Sequence, residues 1–203
     1  TSYKGDIGVE IGNIVFSPTD DKIYFVRGNT NNSKGEPANP AQLQYTTEQN
    51  IYSIDLATGT IKKLAKGSAP VISPDGKLLA YLQGGKAWKL NLAEENATAQ
   101  PLFYSRGSIS SLAFNSSGNQ ILFVSNREEH SFIGVYDFVN NQINFIDAST
   151  YNDSDPVWNK EGTHIAFVRT VNIKYQIGFT PRPTAAQPWE IRIAEVATNK
   201  AST

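Results

Sequence analysis

Three glycines, Gly76, Gly118 and Gly162, each sit in a short polar turn between two apolar runs, spaced 42 and 44 residues apart. A period of about 40–45 residues is that of one four-stranded blade of a β-propeller. The unit reads apolar strand, tight turn, apolar strand, and it recurs over residues 14–26, 71–81, 112–124 and 157–168. In the second copy Pro74 fixes φ at the first corner and Asp75 can bond its own backbone two residues on. Gly76 then supplies the positive φ that a tight hairpin needs. The turns at 115–118 and 159–162 keep the glycine without the proline. The first copy has Thr19-Asp20-Asp21 there, which predicts a longer or differently shaped turn.

The outer half of the unit repeats as well. Third strands are read at 51–55, 87–91, 133–137 and 189–193, each alternating apolar with polar residues as a half-exposed strand does. Fourth strands follow at 60–64, 100–103 and 142–146. The sequence therefore predicts an all-β β-propeller of four-stranded antiparallel blades, about four in number, over residues 10–65, 69–104, 108–148 and 152–198. Each turn should join the inner strand pair of a separate sheet. The last blade is expected to lack its outer strand, leaving an unpaired edge. Residues 1–13 could cover that edge and close a ring of four, but a fragment of a larger propeller is the reading preferred. Two connections break the period, 28–49 and 171–188, both between strands two and three and both rich in Asn, Pro, Gly and Thr. They read as long loops on one face, which makes that face the one to suspect of function.

Composition narrows the chemistry. With 18 basic against 19 acidic residues the net charge is −1, so there is no nucleic-acid footprint. No apolar run approaches the ~18 residues of a membrane span, and no membrane insertion is expected. Cysteine is absent, which excludes disulfides, thiolate metal sites and a cysteine nucleophile. The two histidines, His130 and His164, fall short of the three or four converging ligands a metal needs, so no metal or other cofactor is expected. No Gly-x-Ser-x-Gly elbow occurs, and without that strained turn there is nothing to present a serine nucleophile.

Five residues stand out as candidate binding groups: Arg27, Arg127, Glu128, Glu129 and Arg169. Glu128 and Glu129, flanked by Arg127 and His130, read either as a solvated hairpin tip or as an anchor for a peptide amine or partner domain, since paired carboxylates attract a cation. Arg27 and Arg169 end second strands at the mouths of the two long loops. Each reads as a loop-anchoring salt bridge or as a fork for a substrate carboxylate. The aromatic residues read first as blade-to-blade packing.

The motif Ser73-Pro74-Asp75-Gly76-Lys77 ahead of an apolar strand resembles the repeats of TolB-like propellers and of prolyl oligopeptidase-family enzymes. Residues 123–137, then 155–159, 164–169 and 188–198 in that order, resemble consecutive blades of bacterial dipeptidyl-peptidase-like members of the latter family. The resemblance covers about residues 14–198. It implies a propeller that caps a C-terminal α/β-hydrolase domain, outside this chain, which carries a Ser-Asp-His triad. The partners implied are that domain and peptide substrates, in a periplasmic or secreted protein. The aromatic context of an amine-binding glutamate pair is missing around Glu128 and Glu129, so the resemblance does not carry that role to them. The alternatives are a stand-alone TolB-like protein-binding scaffold and a four-bladed ring that binds a small ligand.

Overall fold

The computed structural model describes residues 11–28, 49–171 and 188–202. Among them there are sixteen strands and no helix, and hence no helix long and apolar enough to cross a membrane. The chain divides into two compact units, Thr1–Leu102 and Phe103–Thr203.

The first unit holds two four-stranded antiparallel sheets. One is β1 (Ile11–Phe16), β2 (Lys22–Arg27), β3 (Asn50–Asp55) and β4 (Ile61–Lys66); the other is β5 (Ser68–Ile72), β6 (Leu78–Gln83), β7 (Lys86–Asn91) and β8 (Gln100–Pro101). Val26, Ile51 and Ala65 of the first sheet pack against Leu79, Tyr81 and Leu90 of the second. Period-two alternation puts these side chains on facing sides of the two sheets, which is how blades stack.

The second unit repeats the plan with β9 (Ser108–Phe114), β10 (Gln120–Asn126), β11 (Ser131–Asp137) and β12 (Gln142–Ile146), then β13 (Asn152–Trp158), β14 (His164–Thr170), β15 (Trp189–Glu195) and β16 (Lys200–Ser202). Leu122, Val124, Ile133, Val135 and Ile146 of the third blade pack against Ile165, Phe167 and Ala194 of the fourth. These two sheets are not wholly separate, because one parallel bridge, Ser131↔Asn152, joins β11 to β13. The fourth blade also has the outer strand the sequence reading left out. Lys200–Ser202 pairs antiparallel with β15 after a turn in which Asn199 takes a φ of 55°. Three residues are too few to show alternation, so the strand was not visible as a pattern.

The predicted turns share one hydrogen-bond scheme. Asn115 N–H donates to Gln120 O at 3.0 Å, and its side-chain Oδ1 accepts the Gln120 N–H at 3.1 Å. Asn159 makes the same pair of bonds with His164 at 2.9 and 2.9 Å. In the second blade the Ser73 hydroxyl replaces the amide, accepting Leu78 N–H at 2.9 Å. Gly76, Gly118 and Gly162 have φ of 73°, 74° and 71°. The first blade closes over the same span, Ser17 N–H to Lys22 O at 2.8 Å, so its turn is no longer than the others. It differs inside, where Lys22 N–H bonds Asp20 O. The two long connections lie outside the described residues, apart from their flanking positions.

Candidate functional site

The strand-two-to-strand-three connections of the third and fourth blades carry most of the candidate residues. β10 turns back into β11 through Arg127–His130, closed by Arg127 N–H to His130 O at 2.8 Å. The Arg127 side chain stays over the sheet: its Nε donates to Ser125 Oγ at 3.2 Å, and the guanidinium lies 5.5 Å from the Phe132 ring centroid and 5.9 Å from that of Phe145. Two aromatic faces thus hold a cation at the base of the turn. His130 meets Phe132 edge-on at 4.7 Å. Glu128 and Glu129 are exposed at the tip.

Beside this turn runs the connection that enters β9. Gly107 has φ of 84°, and a Cβ there would stand 2.1 Å from the Asn126 carbonyl oxygen, so the backbones approach as only glycine allows. Ser125 Oγ donates to Arg106 O at 2.9 Å, fixing the same approach. Between the two segments lies an open groove of about 670 Å³, lined by Arg106, Gly107, Arg127, Glu128, Glu129 and His130. It pairs two arginines with two carboxylates, a lining suited to the charged ends and backbone of a peptide.

The equivalent position in the fourth blade is an ionic network. Arg169 Nε donates to Asp153 Oδ1 at 2.7 Å and Nη2 to Oδ2 at 2.9 Å, a two-pronged pair with Asp153 fully buried. Nη1 reaches Asp147 Oδ2 at 2.8 Å and Nη2 the Asp147 carbonyl at 2.7 Å. Arg192 joins through Asp147 Oδ2 at 2.9 Å, and also bonds Glu190 at 3.1 Å. Burial pushes the Asp153 carboxyl up, opposed by the Arg169 bonds, while Asp153 holds the Arg169 guanidinium above its ordinary value. All three guanidinium nitrogens of Arg169 are thus engaged by protein acceptors. A second groove, of about 360 Å³, opens beside it between Tyr151, Val171, Trp189 and Arg192.

The two positions are tied together. Ser131, next to His130, donates its hydroxyl to Asp153 O at 2.7 Å and accepts Asp153 N–H at 2.8 Å. Arg127, Glu128 and Glu129 therefore share one groove, and Arg169 flanks the other at the same end of this unit. Arg27 belongs to the first unit, where it stands opposite Asn50 in the β2–β3 register. Sequence reasoning missed Asp147, Asp153 and Arg192. Asp153 and Arg169 are direct cross-strand partners, where the third blade has Ile109 and Ser125. An acid at the strand-one register that holds Ile11 in the first blade and Ile109 in the third was the signal for Asp153. Among the described residues no group of three or more His, Cys, Asp or Glu is placed to hold a metal.

No protein-family model and no curated protein matches the chain. Solved structures do. TolB from Acinetobacter baumannii is similar at a TM-score of 0.62 and 20% identity, over 96% of this chain and 43% of that one. The β-propeller domain of the Trilobed protease from Pyrococcus furiosus matches at 0.62 and 16%, over 92% and 55%. Pyrococcus horikoshii acylaminoacyl peptidase matches at 0.63 and 17%, over 92% and 31%. The chain thus spans from under a third to just over half of these structures. At such identities the likeness establishes the fold, and that fold is a β-propeller.

Proposed function

We propose that this chain is the non-catalytic propeller portion of a prolyl oligopeptidase-like serine peptidase, gating or positioning peptide substrates for a C-terminal α/β-hydrolase domain in an exported protein. The observation that carries the reading is the charged groove of Arg106, Arg127, Glu128 and Glu129 at one end of the second unit. Its opposed charges suit a peptide's termini, and its openness leaves room for extended backbone. Two of the similar structures are named as a protease propeller and an acylaminoacyl peptidase. The chain has no Gly-x-Ser-x-Gly elbow, so the chemistry belongs to another part of the parent.

A fluorophosphonate probe tests this. On the parent polypeptide it should label one serine outside residues 1–203, and on the 203-residue chain none. Labelling of a serine within the folded chain, or a parent that takes no label, overturns the reading. The second reading, a TolB-like protein-binding scaffold, is favoured by the likeness to TolB over 96% of the chain. A parent without label that co-purifies with a defined protein partner supports it.

A further inference from the structure

Two arginines of the second unit meet opposite surroundings. Arg169 has Nε, Nη1 and Nη2 each bonded to Asp147 or Asp153. Arg127 makes one side-chain bond, from Nε to Ser125 Oγ at 3.2 Å. Its Nη1 and Nη2 meet no acceptor among the described residues, and neither nitrogen is buried. Arg127 forms no ion pair there either, although two glutamates follow it in the chain.

The open edge of this guanidinium is nonetheless held in place. Gly107 backs its stem, since a Cβ there would stand 3.0 Å from Arg127 Cδ. The Phe132 and Phe145 rings support the cation at 5.5 and 5.9 Å, and His130 braces Phe132 edge-on. Ser125 Oγ, fixed by its own bond to Arg106 O at 2.9 Å, sets the position of Nε. A long side chain loses rotamer freedom when it meets a ligand, and here folding has already removed much of it. Arg127 borders the groove together with an exposed Arg106.

We propose that Arg127 is the carboxylate-binding residue of this groove, its two terminal nitrogens donating to the two oxygens while Arg106 adds positive charge. The proposal rests on the reading of the groove as a peptide site, and names the group of the peptide that this side chain holds. The planar fork of a guanidinium matches a carboxylate in shape and charge. Phosphate fits less well, because Glu128 and Glu129 in the same lining repel a dianion about twice as strongly as a monoanion.

Titration of the 203-residue chain, followed by its backbone amide resonances, tests this with trialanine and trialanine amide. Both probes keep the free amine, so they differ only in the carboxylate. Trialanine should shift the amides of Gly107 and Arg127 and bind about tenfold more tightly than its amide. Arg127→Gln should remove that difference, weakening trialanine about tenfold and leaving the amide unchanged. The dispersion of the spectrum reports whether the variant is folded; where R127Q is not, R127K keeps a cation over the rings, lacks the fork, and should lose most of the same preference. Ala-Glu-Ala amide separates two sources of the carboxylate: tight binding assigns it to an acidic side chain, weak binding to the peptide's end. Equal affinities for trialanine and its amide, or an R127Q variant that weakens both alike, overturn the carboxylate role and leave the peptide groove standing. Absence of binding by all three probes overturns the proposal together with the reading it rests on.

Discussion

Two buried polar side chains of the same protein have opposite fates. Among the described residues the Tyr81 hydroxyl finds no hydrogen-bond partner, although the side chain is fully buried against Val26, Ile51 and Leu79. An unmade buried bond is a net cost, so Tyr81→Phe should leave stability unchanged or raise it by up to about 1 kcal/mol in chemical denaturation. A fall of that size instead would mean that the hydroxyl has a partner in solution. Arg169 is the converse, buried with every guanidinium nitrogen engaged. Arg169→Ser strands the Asp153 charge and should cost about 3–5 kcal/mol. The double change D153I/R169S installs the pair found at the same register of the third blade, and should recover more than half of that loss. Residue titrations follow similar logic. The backbone N–H groups of Asn140 and Val139 and the Gln120 amide hold the Asp137 carboxyl below its ordinary 3.8. Its contribution is therefore complete above that value and lost as pH falls through the depressed one. Asp153, pushed up by burial, has the opposite sign, favouring the fold at low pH and losing that part as pH rises through its folded value. Asp137→Asn should flatten the decline of the urea midpoint below about pH 4.

At the scale of the element, turns were legible and edges were not. Each turn glycine announces a positive φ, and the Asn or Ser that opens the turn announces the bond that closes it. Gly134 is different, because it lies in mid-strand with no positive φ. Its cross-strand partner is Phe123, whose ring would stand 2.4 Å from an added Cβ, so the ring lies flat across the glycine. Gly134→Ala should cost about 1–3 kcal/mol through overpacking, read from the thermal midpoint. A neutral result would show that the Phe123 ring has room to move aside. The short outer strand β16 and the single bridge between β11 and β13 escaped the sequence for a shared reason. Both are pairings of three residues or fewer, set by what packs nearby rather than by alternation along the strand.

At the scale of the whole molecule, the repeat period made the propeller readable because every blade must bury the same registers against its neighbour. The candidate site was readable only in part. Arg127, Glu128 and Glu129 form a local cluster in sequence, so their shared groove follows from one turn. Asp147, Asp153, Arg169 and Arg192 come from four separate segments, and only tertiary pairing brings them together. In the function proposed above, this end of the propeller handles peptides on their way to a hydrolase domain. Steady-state kinetics of the parent protein carrying E128Q/E129Q would show this, comparing peptides of increasing length with a small activated ester. KM should rise several-fold for the peptides while kcat/KM for the ester is unchanged. Equal effects on peptides and ester, or none on either, would contradict it.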